Sequence, residues 1–174
     1  READPHTNES IFEIDTQPSR LLVVGGGPIG CELAQAFQRL GTQVTLVQRG
    51  PTLLAREAGD AAALVQAALE ADGVRLCLSS EVTRVQPGPP HRVVVQTPTR
   101  TETHDVNAIL VSAGRAPNVD GLGLEAIGVA YTDTGVTVDE FLQTTNPHVY
   151  AAGDVCLSQA FTHAADASAR AVIQ

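Results

Sequence analysis

The chain has little of what would place it in several common classes of protein. Its 174 residues carry 11 basic and 20 acidic side chains, a formal charge of -9, without any basic run. A surplus of negative charge disfavours nonspecific binding to nucleic acid and to anionic membrane surfaces. Long hydrophobic runs are also missing, because stretches such as 21–24 and 108–111 are only as long as a strand, which argues against a signal peptide or a spanning helix. A cytoplasmic location is therefore expected.

Cysteine is scarce as well. Cys31, Cys77 and Cys156 are scattered without a CxxC pair or any other redox or metal-ligand spacing. We interpret all three as small buried apolar residues rather than reactive thiols. This spacing therefore predicts no metal site. No catalytic residue is assigned, because the chain lacks a Cys-x4-Cys redox pair.

What the chain does have is a glycine-rich stretch in an informative context. Gly25, Gly27 and Gly30 follow the apolar run 21–24 and precede a helical pattern over 32–40. In such a turn the first glycine permits the tight bend, the second lets bare backbone approach a pyrophosphate, and the third lets the helix pack close to the strand. The unpaired amides at the helix start favour phosphate. The pattern predicts a dinucleotide site.

The residues between and after the glycines support a strand-helix-strand unit. Pro28 falls in the first helical turn, where its missing amide costs nothing, and Ile29 completes the turn. Gly41 ends the helix, and the run 44–47 is the next strand. The unit has the length that a right-handed crossover requires.

The remaining pattern extends this unit into a larger sheet. A second helix is predicted over 59–72, with Ala61, Leu64, Val65, Ala68 and Leu69 on its apolar face, then a parallel strand at 74–78. Three short β-prone runs predict an antiparallel meander before the buried strand at 108–111: 81–85, 92–97 and 101–105. The expected fold class is α/β, a Rossmann-like parallel sheet with helices on both faces and an inserted antiparallel β-meander.

Three motifs, at 25–32, 112–117 and 144–154, occur in an order that resembles the pyridine nucleotide-disulfide oxidoreductases, most of all the mercuric reductase-like branch. The resemblance implies an FAD domain interrupted by an NAD(P) domain and followed by a dimerisation domain. It divides the chain into a lead-in segment at 1–20, an NAD(P)-binding Rossmann-like domain at 21–150, and the returning end of an FAD domain at 151–174. The complete protein is then expected to be a homodimer through a domain that lies outside this chain.

The resemblance also assigns roles to residues near the nicotinamide. Glu32 would lie near the nicotinamide ring and pair with a lysine of the FAD domain. Gly114 and Arg115, with Pro117, match a Gly-Arg-x-Pro loop that binds the cofactor outside the carboxyl end of a strand, and Ala113 before it is included in the cofactor site.

Further roles concern the flavin. By resemblance, Asp154 binds a ribityl hydroxyl of FAD, as a carboxylate acceptor can. Phe161 and Thr162 fall where the family approaches the pyrimidine edge of the flavin, at the start of the last helix.

The choice of nicotinamide cofactor depends on the end of the second strand. NAD-binding domains place an acid there, about 20 residues after the glycines, to bind the ribose hydroxyls. This strand instead ends in Val47, Gln48 and Arg49, and Arg56 follows. Because the planar guanidinium of arginine can bind phosphate with two hydrogen bonds, Arg49 and Arg56 favour NADP, with NAD as the alternative.

The function expected from these features is to present NAD(P)H for hydride transfer to FAD and onward to a disulfide or another acceptor. The chain has no second dinucleotide fingerprint and no Cys-x4-Cys pair, so this polypeptide alone is expected to be inactive. Two alternatives stay open: a domain of an NADH oxidase-type flavoenzyme, and a non-catalytic module that senses nicotinamide redox state.

Overall fold

A computed structural model describes residues 3–114, 116–158 and 161–173 of the chain. The chain divides into two compact units, Arg1–Gly114 and Arg115–Gln174. The predicted boundary at residue 150, which rests on cofactor roles, stays a prediction. No helix within the described ranges has both the length and the apolar composition needed to cross a bilayer.

The first unit is built on a parallel sheet. Its strands are β1 (Arg20–Val24), β2 (Gln43–Val47), β3 (Arg75–Cys77) and β7 (Ala108–Val111), arranged in the order β3-β2-β1-β7. Helix α1 (Pro28–Arg39) connects β1 to β2, and helix α2 (Gly59–Ala71) connects β2 to β3. Pro28 occupies the first helical turn, as predicted. The expected α/β class is thus confirmed.

Residues of β1 point alternately to the two faces of the sheet and fill two cores. Leu21 and Val23 pack with Ala34 of α1 and Leu69 of α2, whereas Leu22 faces the opposite side. All five side chains are essentially inaccessible to solvent. Both helices therefore cover the same face of the sheet.

The meander covers the opposite face of the parallel sheet, where a helix was predicted. The meander consists of β4 (Glu81–Gln86), β5 (His91–Gln96) and β6 (Thr101–Val106), which pair antiparallel in that order. Val93, Val95 and Val106 pack against Leu22 and Ile109 of the parallel sheet. Strand residues that alternate between buried and exposed give one apolar face, which suits packing on another sheet. The prediction of helices on both faces was wrong in this detail.

One further detail differs from expectation. In α2 the buried residues are Ala62 and Leu69, while Leu64 is 75% exposed, so the predicted apolar face was wrong except for Leu69.

The lead-in segment contains a short ordered element. A 3₁₀ helix at Ser10–Glu13 buries Ile11 in the core. His6 exchanges backbone hydrogen bonds with the β7 edge, at 2.8 Å from its amide to the Ile109 carbonyl.

The second unit has a small core of its own. Leu124, Val129 and Val136 form it, beside a 3₁₀ helix at Glu125–Ile127. Its regular elements are the short strands β8 (Tyr131–Thr132) and β9 (Gly135–Val136), a 3₁₀ helix at Gly153–Val155 and helix α3 (Thr162–Ile173). Beyond β9, two isolated bridges pair Val138 with Thr144 and Gln143 with Tyr150.

Candidate functional site

The candidate site lies at the carboxyl edge of the parallel sheet. Three loops begin there, after β1, β2 and β7, because parallel strands end at the same edge. The loop after β1 is the glycine-rich turn, the loop after β2 carries Gln48 and Arg49, and the loop after β7 carries Ser112, Ala113 and Gly114.

Gly25 and Gly30 are required by the packing of the turn itself. Gly25 has φ +112° and donates its amide to the Val47 carbonyl at 2.9 Å. A Cβ at Gly25 would lie 2.8 Å from the Ser112 carbonyl oxygen, and one at Gly30 would overlap the Gly25 carbonyl oxygen. Any side chain at either position would therefore force α1 or β7 away from β1.

Gly27 is different, because no protein atom explains its lack of a side chain. It precedes α1 with φ -80° and ψ -177°, a conformation open to any residue, and a Cβ there would meet nothing within 4 Å. Among the residues that the structure describes, no side chain caps this end of α1. Pro28 is exposed and Ile29 half-buried beside it. The backbone at the helix start thus faces open space.

Gln48, which the sequence analysis did not assign to the site, holds the turn in place. Its Oε1 accepts a hydrogen bond from the Gly26 amide at 2.9 Å, and the Leu54 amide donates to the Gly26 carbonyl at 2.8 Å. The fully buried Leu53 fills the space beside Gly26, where a Cβ would lie 2.6 Å from its Cδ2. The loop after β2 therefore braces the glycine-rich turn. The signal for it in the sequence was the position of Gln48 directly after the strand.

The two predicted arginines follow in the same loop. Arg49 and Arg56 are exposed. Neither forms an ion pair with any residue in the described ranges. Both guanidinium groups of this loop therefore lack an acidic partner among the described residues.

Ser112 joins the loop after β7 to the turn. Its hydroxyl lies 3.1 Å from the carbonyl oxygens of both Val24 and Gly25, to which it can donate. Ala113 and Gly114 then become exposed, Gly114 with φ +85°. Arg115, predicted to bind the cofactor, lies outside the described residues.

Cys31 and Glu32 occupy the first turn of α1. Cys31 is buried, its Sγ lies 3.6 Å from the Gly26 carbonyl, and burial, with a smaller effect of Glu32, raises its pKa to about 11. The thiol is therefore protonated near neutral pH and poorly nucleophilic. Burial also raises the pKa values of Cys77 and Cys156. Cys77 is buried as predicted, whereas Cys156 is only half-buried. Glu32 is exposed.

The residues predicted to contact flavin lie in the second unit. Gly153 is buried with φ +78°, and a Cβ there would lie 3.1 Å from the Ala165 side chain of α3. Asp154 follows it on the 3₁₀ helix and is exposed. Phe161, 57% exposed, stacks on His163 with ring centroids 5.4 Å apart, and the exposed Thr162 begins α3.

The parallel sheet and the packed glycine turn define a Rossmann-like α/β domain. The family profile described as pyridine nucleotide-disulphide oxidoreductase matches residues 2–171. The chain belongs to this family, and the predicted resemblance is confirmed.

Two named relatives are similar to the chain over most of its length. The chain is 40% identical over 148 residues to dihydrolipoyl dehydrogenase of Bacillus subtilis, covering 85% of this chain and 32% of that protein. It is 38% identical over 164 residues to mercuric reductase of Lysinibacillus sphaericus, covering 91% of this chain and 30% of that protein. The chain thus spans about a third of the length of these relatives.

Solved structures show the same fold. The HOCl-induced flavoprotein disulfide reductase RclA of Escherichia coli, solved as a Cu(II) complex, aligns with a TM-score of 0.85 and 28% identity, over 96% of this chain and 38% of RclA. LpdA of Mycobacterium tuberculosis aligns with a TM-score of 0.84 and 30% identity, over 96% of this chain and 36% of LpdA.

Proposed function

We propose that the first unit binds a nicotinamide dinucleotide across the carboxyl edge of its sheet, with the pyrophosphate beside Gly27 at the start of α1. The observation that carries the proposal is the contrast within the glycine-rich turn. Packing accounts for Gly25 and Gly30, while no atom of the described residues lies within 4 Å of a Cβ placed on Gly27. A phosphate there meets backbone amides and the positive end of the helix dipole.

The nucleotide is NADP(H) in this proposal, with NAD(H) as the alternative. At the end of β2, where an acid would bind the ribose hydroxyls, Gln48 is uncharged and its oxygen is occupied by the Gly26 amide. Arg49 next to it is exposed and has no acidic partner among the described residues. A guanidinium so placed suits a 2'-phosphate, and Arg56 can add a second positive charge.

In the complete protein, the bound nucleotide delivers hydride to FAD, and the flavin passes electrons to a disulfide or another acceptor. Relatives named dihydrolipoyl dehydrogenase and mercuric reductase, and a flavoprotein disulfide reductase among the similar structures, support this role. Asp154 and the start of α3, with Phe161 and Thr162, are proposed to hold the flavin. Glu32 on α1 is proposed to lie near the nicotinamide ring, and the 174-residue chain alone is proposed to be inactive.

Titration calorimetry of the chain with NADPH and NADH tests the binding site. Gly27→Ala should weaken binding of both nucleotides by tenfold or more, roughly the cost of one misplaced charge-assisted contact, while leaving the melting temperature unchanged. Gly59→Ala is the matched control, because a Cβ at Gly59 also meets nothing within 4 Å but lies away from the turn, at the start of α2. Equal affinity of the Gly27→Ala variant and the unaltered chain would refute the site.

The same titration tests the choice of nucleotide. Arg49→Ala should weaken NADPH by about tenfold and leave NADH unchanged, since only NADPH carries the 2'-phosphate. Equal affinity of the unaltered chain for the two nucleotides, or tighter NADH binding that Arg49→Ala does not alter, contradicts the NADP assignment. For the full-length protein, NAD(P)H oxidation that requires a disulfide supports the reductase, oxidation by oxygen alone indicates the oxidase alternative, and binding without turnover indicates a sensing module.

A further inference from the structure

Three potential metal ligands meet in the first unit, away from the glycine-rich turn. Cys77 comes from β3, and Glu102 and His104 come from β6. Each offers one ligand atom, and the three atoms lie within 4.8 Å of one another. A thiolate, an imidazole and a carboxylate at this separation are the donor set found around Zn²⁺.

The fold creates this cluster by stacking the edges of two sheets. Strand β3 is the edge strand of the parallel sheet, and β6 is an edge strand of the meander that covers it. Residues two apart on a strand share a face. Glu102 and His104 thus point the same way from β6, and Cys77 lies in the apolar cluster between the sheets with Val93 and Val95.

His104 is left without a hydrogen bond that its burial requires. Its side chain is only 10% exposed, and among the described residues Nε2 makes no well-aligned hydrogen bond; its one charged neighbour there is Glu102 Oε2, an ion-pair contact at 3.3 Å. A buried polar atom without a partner is rare enough to need an explanation.

We propose that Cys77, Glu102 and His104 form a binding site for a divalent transition-metal ion, with Zn²⁺ as the matching ion. Three protein ligands leave one position of a tetrahedral ion for water. The Cys77 thiol gives up its proton on binding. The ion then occupies the position facing His104 Nε2 and supplies the missing partner.

Two arginines oppose the metal and set its affinity. Arg75 Nη2 lies 2.6 Å from Glu102 Oε2, and Arg100 Nη2 lies 2.7 Å from Oε1. Both guanidinium side chains are more than half exposed, so each can rotate into solvent when the carboxylate binds a metal ion. Arg75 is the direct competitor, because it contacts the same oxygen that faces His104. Removal of Arg75 should therefore tighten metal binding.

Competition of the 174-residue chain with a chromophoric chelator for Zn²⁺ tests the site. We expect one ion per chain, loss of this binding in Cys77→Ser and His104→Gln, and about tenfold tighter binding in Arg75→Leu. Cys31→Ser and His148→Gln are the matched controls, since neither residue belongs to the cluster. Absence of stoichiometric Zn²⁺, unchanged binding in both cluster variants, or equal loss in the controls would overturn the proposal.

Cobalt gives a readout that does not depend on the stability of the cluster variants. Co²⁺ bound to the unaltered chain should show a thiolate-to-metal charge-transfer band in the near ultraviolet, and Zn²⁺ should abolish it. The band should persist in Cys31→Ser and in Arg75→Leu. If Co²⁺ binds without this band, Cys77 is not a ligand and the site is refuted, even where Cys77→Ser itself fails to fold.

Discussion

Helices α1 and α3 each pack against a glycine with positive φ, but different contacts hold them. The glycine is Gly25, at +112°, for α1 and Gly153, at +78°, for α3. Helix α1 buries Gly30, Cys31 and Ala34 in the core of the first unit. Helix α3 buries none of its described residues.

The difference shows two ways to hold a helix in place. At α1, backbone meets backbone so closely that a Cβ on Gly30 would overlap the Gly25 carbonyl. The contacts of α3 with Gly153 include a close approach of Ala165 and a hydrogen bond from the Gly153 amide to Ser168 Oγ. A substitution at the closely packed Gly30 should therefore destabilise the protein far more than one at Ser168, which contributes a hydrogen bond.

The largest effect is expected for Gly30→Ala. Its new Cβ would overlap backbone, and neither β1 nor α1 can move without opening the core, so unfolding free energy should fall by more than about 4 kcal/mol. Urea denaturation of the chain measures this, with Gly59→Ala as the control that should change stability by no more than about 1 kcal/mol. A Gly30→Ala chain as stable as the control would show that α1 is held more loosely than its packing indicates.

The next effect tests the buried face of α2. Leu69→Ala should cost about 3 kcal/mol, because Leu69 is 1% exposed in the core that α2 shares with α1. Leu64→Ala, on the same helix but 75% exposed, should change stability by less than about 0.5 kcal/mol. The same denaturation assay separates them, and equal losses would restore the apolar face that the sequence predicted.

The glycine-rich turn and helix α2 differ in how well the sequence predicts their structure. The glycine-rich turn and the strand-helix-strand unit around it could be predicted, because the motif is contiguous and its spacing carries the geometry. The buried face of α2 could not, because alanines fit either face of a helix and leave the apolar period ambiguous. Leu64 and Leu69 satisfy that pattern equally.

Contacts between residues far apart in the sequence could not be predicted either. The meander on the second face of the sheet was predicted as an insertion, but alternation along β5 does not say what its apolar face covers. The brace from Gln48 to Gly26, and the cluster of Cys77 with Glu102 and His104, join residues through register and sheet stacking. No spacing rule encodes them. The proposed cofactor roles of Arg49 and Asp154 stay predictions.

The two units should also differ in the rate at which their cysteines react. Cys31 on α1 is buried with its pKa raised to about 11, whereas Cys156, after Gly153, is half-buried. Iodoacetamide at pH 8 should therefore modify Cys156 at least about tenfold faster than Cys31, because thiolate content and access govern the rate. Peptide mass spectrometry of timed samples measures this, with urea-unfolded chain as the control in which the rates converge. Faster modification of Cys31 would mean that α1 opens more readily than the second unit.

The smallest effect is expected where α3 meets Gly153. Ser168→Ala removes the acceptor of the buried Gly153 amide, 3.0 Å away, and should cost about 1 kcal/mol. The loss should be local, as about fivefold faster hydrogen exchange at the Gly153 amide, with amides of β1 unchanged. Ser168→Thr keeps the hydroxyl and is the control. Unchanged exchange at Gly153 in Ser168→Ala would show that the contact with Ala165, rather than the hydrogen bond, holds α3 against Gly153. Both helices would then depend on close packing.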